Sequence, residues 1–298
     1  MPKFCVFIPL LLIHLILPFS AFADNDSLLL KIKTIAQDAK GKVSVSAFAI
    51  EDSISVSYYG DELCVMQSVF KYPIAIAILN KIDKGDFSLQ HKIHFTPEYV
   101  AKYTTSLMRD SFYNGNINVT FDKLIRYMVA QSDNISCDAL LHHLGKPKEV
   151  AKFIRKQGIE DFEIRYNEMD MHKKWQNQYS NFCSPNAMVK LLTKFYQGKI
   201  LSKTNTDYLY QVMLETTTGK NRIVNLLPKG TPVAHKTGTS ETEKGMTAAT
   251  NDVGIITLPN GKHIALAVFV NDAYAEDAVF ESVIARIAKA IYDDAIQK

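Results

Sequence analysis

Residues 64–79 read CVMQSVFKYPIAIAIL and mark the passage from a strand-rich region into an apolar helix. Pro73 falls within the first turn or so of this helix, where a missing N–H group costs little. Ser68 is therefore expected at a helix N-terminus, where free backbone N–H groups favour developing negative charge. Lys71 follows three residues later and projects from the same face. Taken alone, this pair is more typical of a capping serine beside a solvated lysine.

The segments around this helix predict an α/β (α+β) fold. Before it, residues 28–39 read as a helix, and residues 42–50 and 53–59 read as the two strands of a hairpin. After it, helices dominate to about residue 215. One predicted helix ends at Gly85, and another begins near Thr120. Further helices are predicted at residues 133–145, 148–157, 184–196 and 202–214.

The C-terminal part returns to strands, at residues 231–239, 249–258 and 263–270, followed by a closing helix at 276–296. We therefore expect one antiparallel sheet flanked by terminal helices, with an inserted all-helical subdomain. The α/β subdomain would comprise residues 24–62 and 217–298, and the helical subdomain residues 66–215. A ligand site is expected in the cleft between them. Residues 161–183 lack periodicity but are rich in aromatic side chains, which predicts a packed loop.

The first 23 residues resemble a signal peptide. Lys3 precedes an apolar run, and Ala21-Phe22-Ala23 has the pattern of a cleavage site. We expect cleavage before Asp24, so that residues 24–298 form one exported domain with no membrane association. The expected location is the periplasm, or the medium if the host lacks an outer membrane. The expected oligomeric state is a monomer.

Composition limits the partners and cofactors. The formal charge is +3, and loss of Lys3 leaves +2 with both signs interspersed, which predicts neither nucleic-acid nor membrane-surface binding. Cys64, Cys137 and Cys183 remain after cleavage, so at most one disulfide can form. The sequence leaves open whether Cys64 and Cys137 pair. The histidines lack metal-ligand spacing, so we expect no metal and no cofactor.

Two further motifs follow the Ser68–Lys71 pair, namely Ser132-Asp133-Asn134 and Lys236-Thr237-Gly238. In isolation the first is equally consistent with a helix cap, and the second with a surface lysine on a strand. Together the three motifs supply a nucleophile, a base, a proton relay and a cation. A serine hydroxyl needs an adjacent base.

Lys71 can act as that base only if its amine is partly neutral, which burial beside Lys236 would favour. Ser132 would pass a proton to a leaving nitrogen, and Asn134 would bind a substrate side-chain amide. Gly238 would leave room for a ligand against the strand. The side chains expected to face this cleft are those of Lys236, Thr237 and Thr239. The N–H groups of Ser68 and Thr239 could form an oxyanion hole.

This constellation resembles the penicillin-recognising serine enzymes, which comprise the class A β-lactamases and the penicillin-binding transpeptidases. The resemblance covers the whole chain after residue 23. It implies acyl transfer through an ester of Ser68, with Lys236, Thr237 and Thr239 holding the substrate carboxylate.

The long loop separates the two branches of this family. Class A β-lactamases carry there a glutamate that activates the deacylating water, and Glu168 falls at that place, in preference to Asp170. The class usually has an asparagine four residues later, where this chain has His172. That departure, together with the words MQSVFK, ETTTG, AHKTGTS and AATND, resembles the extended-spectrum branch typified by the VEB and PER enzymes. His172 would then hold the water or brace the loop.

The same resemblance assigns further substrate-binding residues. Arg222 resembles that branch's arginine near the carboxylate-binding strand, with a plain solvent-exposed arginine as the alternative. Neither Val69 nor Ser240 is a cysteine, so the disulfide of class A carbapenemases is absent and oximino-cephalosporins should be better substrates than carbapenems. Ser240 is retained among the substrate-binding residues. The branch tends to carry a tryptophan where this chain has Thr104-Thr105, and Tyr103 would supply the aromatic wall instead.

The resulting hypothesis is a serine β-lactamase that hydrolyses penicillins and cephalosporins and confers resistance. Ser68 is deprotonated by Lys71, or by Glu168 through water. The alternatives are a D-Ala-D-Ala carboxypeptidase or transpeptidase, which deacylates β-lactams slowly, and a non-catalytic β-lactam sensor. Glu168 and the lack of an anchor after cleavage argue against both.

Overall fold

A computed structural model describes residues 23–103, 106–112 and 114–297. The predicted signal peptide, except for Ala23, and the Thr104-Thr105 pair lie outside the described residues. The strands of the described part are β1 (Lys42–Ala49), β2 (Ile54–Tyr58), β3 (Cys64–Val65), β4 (Lys92–Phe95), β5 (Ile117–Thr120), β6 (Phe162–Glu163), β7 (Phe182–Cys183), β8 (Val233–Thr239), β9 (Thr242–Glu243), β10 (Met246–Thr257) and β11 (His263–Ala273).

The main sheet is antiparallel and is built from both ends of the chain, which confirms the predicted fold class. Its strands follow the order β2-β1-β11-β10-β8, and β9 pairs with β10. The register sets Val45 opposite Val268 and Lys236 opposite Val253. β10 and β11 are buried almost throughout, because helices cover both faces of the sheet.

The helices of the described residues are α1 (Ala23–Ala36), α2 (Lys71–Asp83), α3 (Pro97–Val100), α4 (Leu107–Ser111), α5 (Phe121–Ala130), α6 (Asn134–His143), α7 (Pro147–Lys156), α8 (Glu168–Met171), α9 (Pro185–Tyr196), α10 (Lys203–Leu214) and α11 (Asp277–Ile296). Helices α1 and α11 pack together over one face of the sheet, while α9 covers the other. No helix within the described ranges combines the length and apolar character that crossing a membrane requires.

Most predicted helix starts are confirmed within a residue or two, because polar side chains cap them. The side chains of Thr120, Asp133, Ser184 and Ser202 each accept a hydrogen bond from a backbone N–H of the turn they precede. The helix predicted at residues 28–39 begins earlier, at Ala23, and its last three residues form a separate 3₁₀ turn.

The segment 161–183 is a packed loop, as predicted. It contains the single-turn helix α8 and a 3₁₀ turn at Trp175–Ser180, and its ends form β6 and β7. These two strands join β3 in a small sheet of order β3-β7-β6. The loop is thereby attached to the strand that immediately precedes Ser68. The antiparallel β4–β5 pair and this small sheet were absent from the sequence prediction. Strands of two to four residues are too short to show an alternating pattern.

Candidate active site

Ser68 lies in a 3₁₀ turn, Gln67–Phe70, which leads directly into α2. The α-helix therefore begins at Lys71, slightly later than the sequence predicted. Gln67 has φ +46° and Ser132, on a second segment of the cleft, has φ +61°. Non-glycine residues seldom adopt this left-handed conformation, and such strain is concentrated at functional sites. Two of the three motifs therefore carry or adjoin a strained residue.

The Lys71 ammonium stands at the centre of the site and is fully buried. Its Nζ atom lies 3.0 Å from Ser68 Oγ and 2.8 Å from Glu168 Oε1. It also donates to Ser132 O and to Asn134 Oδ1, each at 2.6 Å. The structure thus brings together five residues from three separate segments of the chain, and the Lys71 side chain contacts the other four.

Glu168 is almost completely buried, with 1% of its surface exposed. Its Oε1 lies 3.5 Å from Ser68 Oγ, which leaves the carboxylate near this hydroxyl without a close hydrogen bond. Asp170, the alternative acid, forms an ion pair with Lys173 at 2.6 Å and is partly exposed. The geometry therefore favours Glu168 over Asp170 as the acid that faces Ser68.

Asp138, which sequence reasoning missed, holds the backbone of Glu168. Its Oδ1 accepts from Glu168 N at 2.8 Å, and its Oδ2 accepts from Met169 N at 3.0 Å and from Tyr103 Oη at 3.0 Å. Burial, and then the charge of Glu168, raise the pKa of Asp138 to about 6. An acid on the buried face of the apolar helix α6 was the available signal.

The side chain of Tyr103 is buried, with 7% exposed. Its hydroxyl donates a hydrogen bond to Asp138, the residue that binds the backbone of Glu168. Tyr103 therefore supports the loop indirectly, through Asp138. His172 directly follows the last residue of α8. Its Nδ1 lies 2.7 Å from Glu168 O and 3.8 Å from Glu168 Oε2. Because a carbonyl oxygen can only accept, Nδ1 carries the proton, and His172 braces the backbone turn at Glu168.

Lys236 and Ser132 lie next to Lys71 in the same cluster. Lys236 is fully buried, which excludes a surface lysine, and its Nζ donates to Ser132 Oγ and to Thr237 O, both at 2.9 Å. Lys71 Nζ lies 3.4 Å from the same Ser132 Oγ. The hydroxyl of Ser132 therefore lies between the Nζ atoms of Lys71 and Lys236. Burial, and then the charge of Lys71, lower the pKa of Lys236 well below its usual value.

The sequence left two interpretations of the Ser132-Asp133-Asn134 motif, a helix cap and a part of the site, and they apply to different residues. Asp133 is the helix cap, accepting from Ser136 N at 2.8 Å. Its other oxygen accepts from Ser106 Oγ and from Met108 N. Ser132 and Asn134 instead face Lys71.

Arg222 is buried behind β8, which makes the solvent-exposed alternative wrong. Its guanidinium donates to Gly238 O at 3.2 Å, Asn251 O at 2.9 Å and Thr239 Oγ1 at 2.8 Å, and it pairs with Glu281 at 3.2 Å. With these partners, Arg222 fixes the end of β8 and orients the hydroxyl of Thr239.

The other residues of β8 differ in exposure. Thr237 Oγ1 bonds Thr218 Oγ1 at 2.6 Å and is buried, whereas Thr239 is exposed. Ser240 Oγ donates to Glu241 O and accepts from Ala249 N, both at 2.9 Å, so its hydroxyl is used by the backbone.

Gly238 has a packing role that differs from the predicted one. A Cβ atom at this position would lie 2.4 Å from Met66 O, so the space beside its Cα is filled by protein. Glycine allows β8 to approach the turn that carries Ser68. Among the described residues no group of three or more His, Cys, Asp or Glu side chains is arranged to hold a metal.

These contacts define a serine acyl-transfer site. The Ser68 hydroxyl contacts the Lys71 amine, which contacts the Glu168 carboxylate, and the Ser132 hydroxyl lies between Lys71 and Lys236. Serine, lysine and glutamate together allow both formation of an ester and activation of a water to cleave it.

Comparison with known proteins agrees with this class. The model of the "Beta-lactamase enzyme family" matches residues 28–295. The chain is 41% identical to β-lactamase VEB-1 of Pseudomonas aeruginosa over 278 residues, which cover 93% of each chain. It is 36% identical to the extended-spectrum β-lactamase PER-1 of the same organism over 95% of this chain and 93% of the relative. The crystal structure of the TLA-1 extended-spectrum β-lactamase is 43% identical, with a TM-score of 0.89, over 92% of this chain and 99% of that one.

The protein belongs to the β-lactamase enzyme family. Its fold neighbours include further class A enzymes, among them one from Bacteroides cellulosilyticus that is 30% identical with a TM-score of 0.88, over 92% of this chain and 99% of that one. It is a serine β-lactamase of class A, an enzyme that hydrolyses β-lactams and thereby confers resistance. The transpeptidase and sensor alternatives are not favoured.

Proposed function

We propose that Ser68 is the nucleophile of this β-lactamase and that Lys71 or Glu168, the latter through a water, removes its proton. The observation that carries this assignment is the position of Lys71 Nζ, 3.0 Å from Ser68 Oγ and 2.8 Å from Glu168 Oε1. Attack on the lactam carbonyl forms an ester. The developing oxyanion is held by the N–H groups of Ser68 and Thr239.

Ser132 passes a proton to the departing nitrogen. Its hydroxyl, placed between Lys71 and Lys236, supports this relay. Lys236, Thr237 and Thr239 hold the substrate carboxylate, with Ser240 at the end of the strand and Arg222 orienting Thr239. Asn134 contacts the amide of the substrate side chain, while its Oδ1 also accepts from Lys71.

Glu168 then activates the water that hydrolyses the ester, and His172 braces the turn that carries it. The substrates include penicillins and cephalosporins. Similarity to relatives described as extended-spectrum enzymes supports activity on oximino-cephalosporins, which should exceed activity on carbapenems. Tyr103 contributes to the wall of the substrate cleft indirectly, because its hydroxyl binds Asp138, which holds the loop that carries Glu168. The reaction needs no cofactor, because Ser68, Lys71 and Glu168 provide the chemistry.

We further propose that the enzyme is exported after cleavage before Asp24, acts in the periplasm, and works as a monomer. The charged start, apolar run and A-x-A sequence support export. That one chain provides every residue of the proposed site supports a monomer.

The test is to incubate the purified protein with an excess of a cephalosporin while following ring absorbance and intact mass together. Loss of many equivalents per protein with little adduct is the expected result. A burst of one equivalent with a lasting mass increase on Ser68 would instead indicate a penicillin-binding protein or sensor. Glu168 would then be an ordinary loop acid.

A further inference from the structure

Two of the three cysteines outside the predicted leader face each other across paired strands. Cys64 on β3 and Cys183 on β7 are directly opposite in the antiparallel register. Both are buried, with 4% and 0% of their surfaces exposed. Cys137 lies elsewhere, on α6. Burial, and then the charge of Glu168, raise the pKa of its thiol well above the usual value. The register therefore places Cys183, and not Cys137, opposite Cys64.

The hydrogen-bond pattern gives the spacing of this pair. Met66 N donates to Asn181 O at 3.0 Å, and these residues stand two positions further along the same register. Hydrogen-bonded and non-hydrogen-bonded pairs alternate along an antiparallel ladder, so Cys64 and Cys183 occupy the hydrogen-bonded type, with Cα atoms about 5.5 Å apart. This spacing falls within the usual range for a disulfide, about 4.4–6.8 Å. Directly opposite side chains also project from the same face of a sheet.

We propose that Cys64 and Cys183 form a disulfide when the protein folds in an oxidising compartment, and that Cys137 remains a thiol. The proposal rests on the proposed export, and not on the assignment of any catalytic residue. Secreted proteins commonly retain such bonds.

The oxidant is a disulfide compound such as glutathione disulfide. The thiolate of one cysteine attacks it, forming a mixed disulfide and releasing one thiol. The second cysteine then displaces the remaining half, so the two cysteines lose two electrons and two protons and the oxidant becomes two thiols. Burial raises the pKa of Cys64 to about 12 and that of Cys183 well above its usual value. Because thiolates are the reactive form, oxidation takes place as β3 and β7 pair, before the core closes.

The bond would attach the C-terminal end of the loop to the strand that leads into Ser68. Next to Cys183, Asn181 donates to Tyr166 O at 2.9 Å and accepts from the N–H groups of Arg165 and Tyr166. The contacts of Asn181 extend to within two residues of Glu168. A cross-link at Cys183 therefore restrains the segment that holds the proposed deacylation base against the nucleophile.

The pairing is tested on residues 24–298, the chain after the predicted cleavage, which lacks Cys5 and keeps Cys64, Cys137 and Cys183. The protein is unfolded with reductant and then refolded with a mixture of reduced and oxidised glutathione. The product is alkylated with N-ethylmaleimide in denaturant and mapped by peptide mass. The expected map shows Cys64 linked to Cys183 and Cys137 alkylated. Alkylation of all three cysteines, or a bond that includes Cys137, would overturn the proposal. This thiol map uses no activity measurement, so its failure is distinct from failure of the proposed function.

The thermal midpoint provides the second measurement. Reduction of the refolded protein should lower Tm by about 5–10 °C, because the bond closes a long loop in the unfolded chain. Cys183→Ala should abolish this difference between oxidised and reduced samples. The matched control, Cys137→Ala, removes another buried thiol and should retain the difference. Equal Tm values for oxidised and reduced wild-type protein would contradict the stabilising role.

Discussion

Lys71 Nζ lies 2.8 Å from Glu168 Oε1, and both side chains are withdrawn from solvent. A buried charge is stable only when it is paired and hydrogen-bonded. Each of these groups therefore holds the other in place, and both also approach Ser68 Oγ. A single ion pair thus connects Lys71, a proposed base for Ser68, with Glu168, the proposed base for the hydrolytic water.

Replacement of Glu168 by Gln should separate the two half-reactions. The amide keeps the shape of the side chain but cannot take a proton from water, so acylation should continue while deacylation slows by about 100- to 10,000-fold. Intact mass should show the acyl adduct on Ser68 persisting after the antibiotic is removed. The control is Asp170→Asn, which changes a neighbouring, partly exposed acid and should turn over like the wild type. Rapid turnover by Glu168→Gln with stalling by Asp170→Asn would reverse the assignment.

Substitution of His172 tests whether its role is to donate a hydrogen bond to the backbone. The Nδ1–H group donates to Glu168 O at 2.7 Å. His172→Asn offers an N–H donor, as the usual residue of the class does, and should retain most of the wild-type kcat. His172→Leu removes the donor and should lower kcat by about 10-fold, corresponding to one lost hydrogen bond of 1–1.5 kcal/mol. Equal kcat values for the two variants would exclude this role.

Much of the fold was predictable because its signals are local. The caps at Thr120, Asp133, Ser184 and Ser202 satisfy N–H groups within one turn, so the sequence at each helix start contains the whole interaction. The strands of the main sheet, apart from β9, are at least five residues long. Strands of that length could be recognised in the sequence, and this was sufficient to predict the antiparallel sheet.

The contacts that orient the proposed site were harder to predict, because their partners are distant in sequence. Asp138 binds the backbone of a residue thirty positions later, and Arg222 binds carbonyls on two different strands. The sequence next to Asp138 or Arg222 does not show which distant backbone groups will need a hydrogen-bond partner. Gly238 shows the same limit, since its neighbour Met66 O comes from the other end of the chain.

Loss of the Arg222 guanidinium should weaken substrate binding more than it weakens the chemical steps. Arg222→Met removes one hydrogen bond from each of Gly238 O and Asn251 O, which remain paired in the β8–β10 ladder, and it frees the Thr239 hydroxyl. We expect KM for cephalosporins to rise about 10-fold, because a misplaced Thr239 hydroxyl loses a hydrogen bond to the substrate carboxylate worth about 1.5 kcal/mol, with a smaller change in kcat. Arg222→Lys keeps the charge without the planar fork and should give intermediate values. An unchanged KM in Arg222→Met would contradict a positioning role.

The pKa of Asp138 predicts how stability changes with pH. Burial and the charge of Glu168 raise this pKa from 3.8 to about 6, so folding favours the protonated carboxyl. Its contribution to stability is fully present below about pH 4 and is lost as the pH rises through about 6. Asp138→Asn removes this titration. The free energy of unfolding of the variant relative to the wild type should therefore rise by on the order of 3 kcal/mol between about pH 4 and pH 7, at about 1.4 kcal/mol per pKa unit.

Urea unfolding at several pH values would measure this difference, and a constant loss from altered hydrogen bonding in Asp138→Asn would not affect its slope. The control is Asp161→Asn, which removes an exposed carboxyl and should give a profile parallel to that of the wild type over the same range. Parallel profiles for Asp138→Asn and the wild type would show that Asp138 titrates at the same pH in the folded and unfolded chains. In that case the carboxylate would accept its three hydrogen bonds from Glu168 N, Met169 N and Tyr103 Oη without a net penalty for its burial beside Glu168.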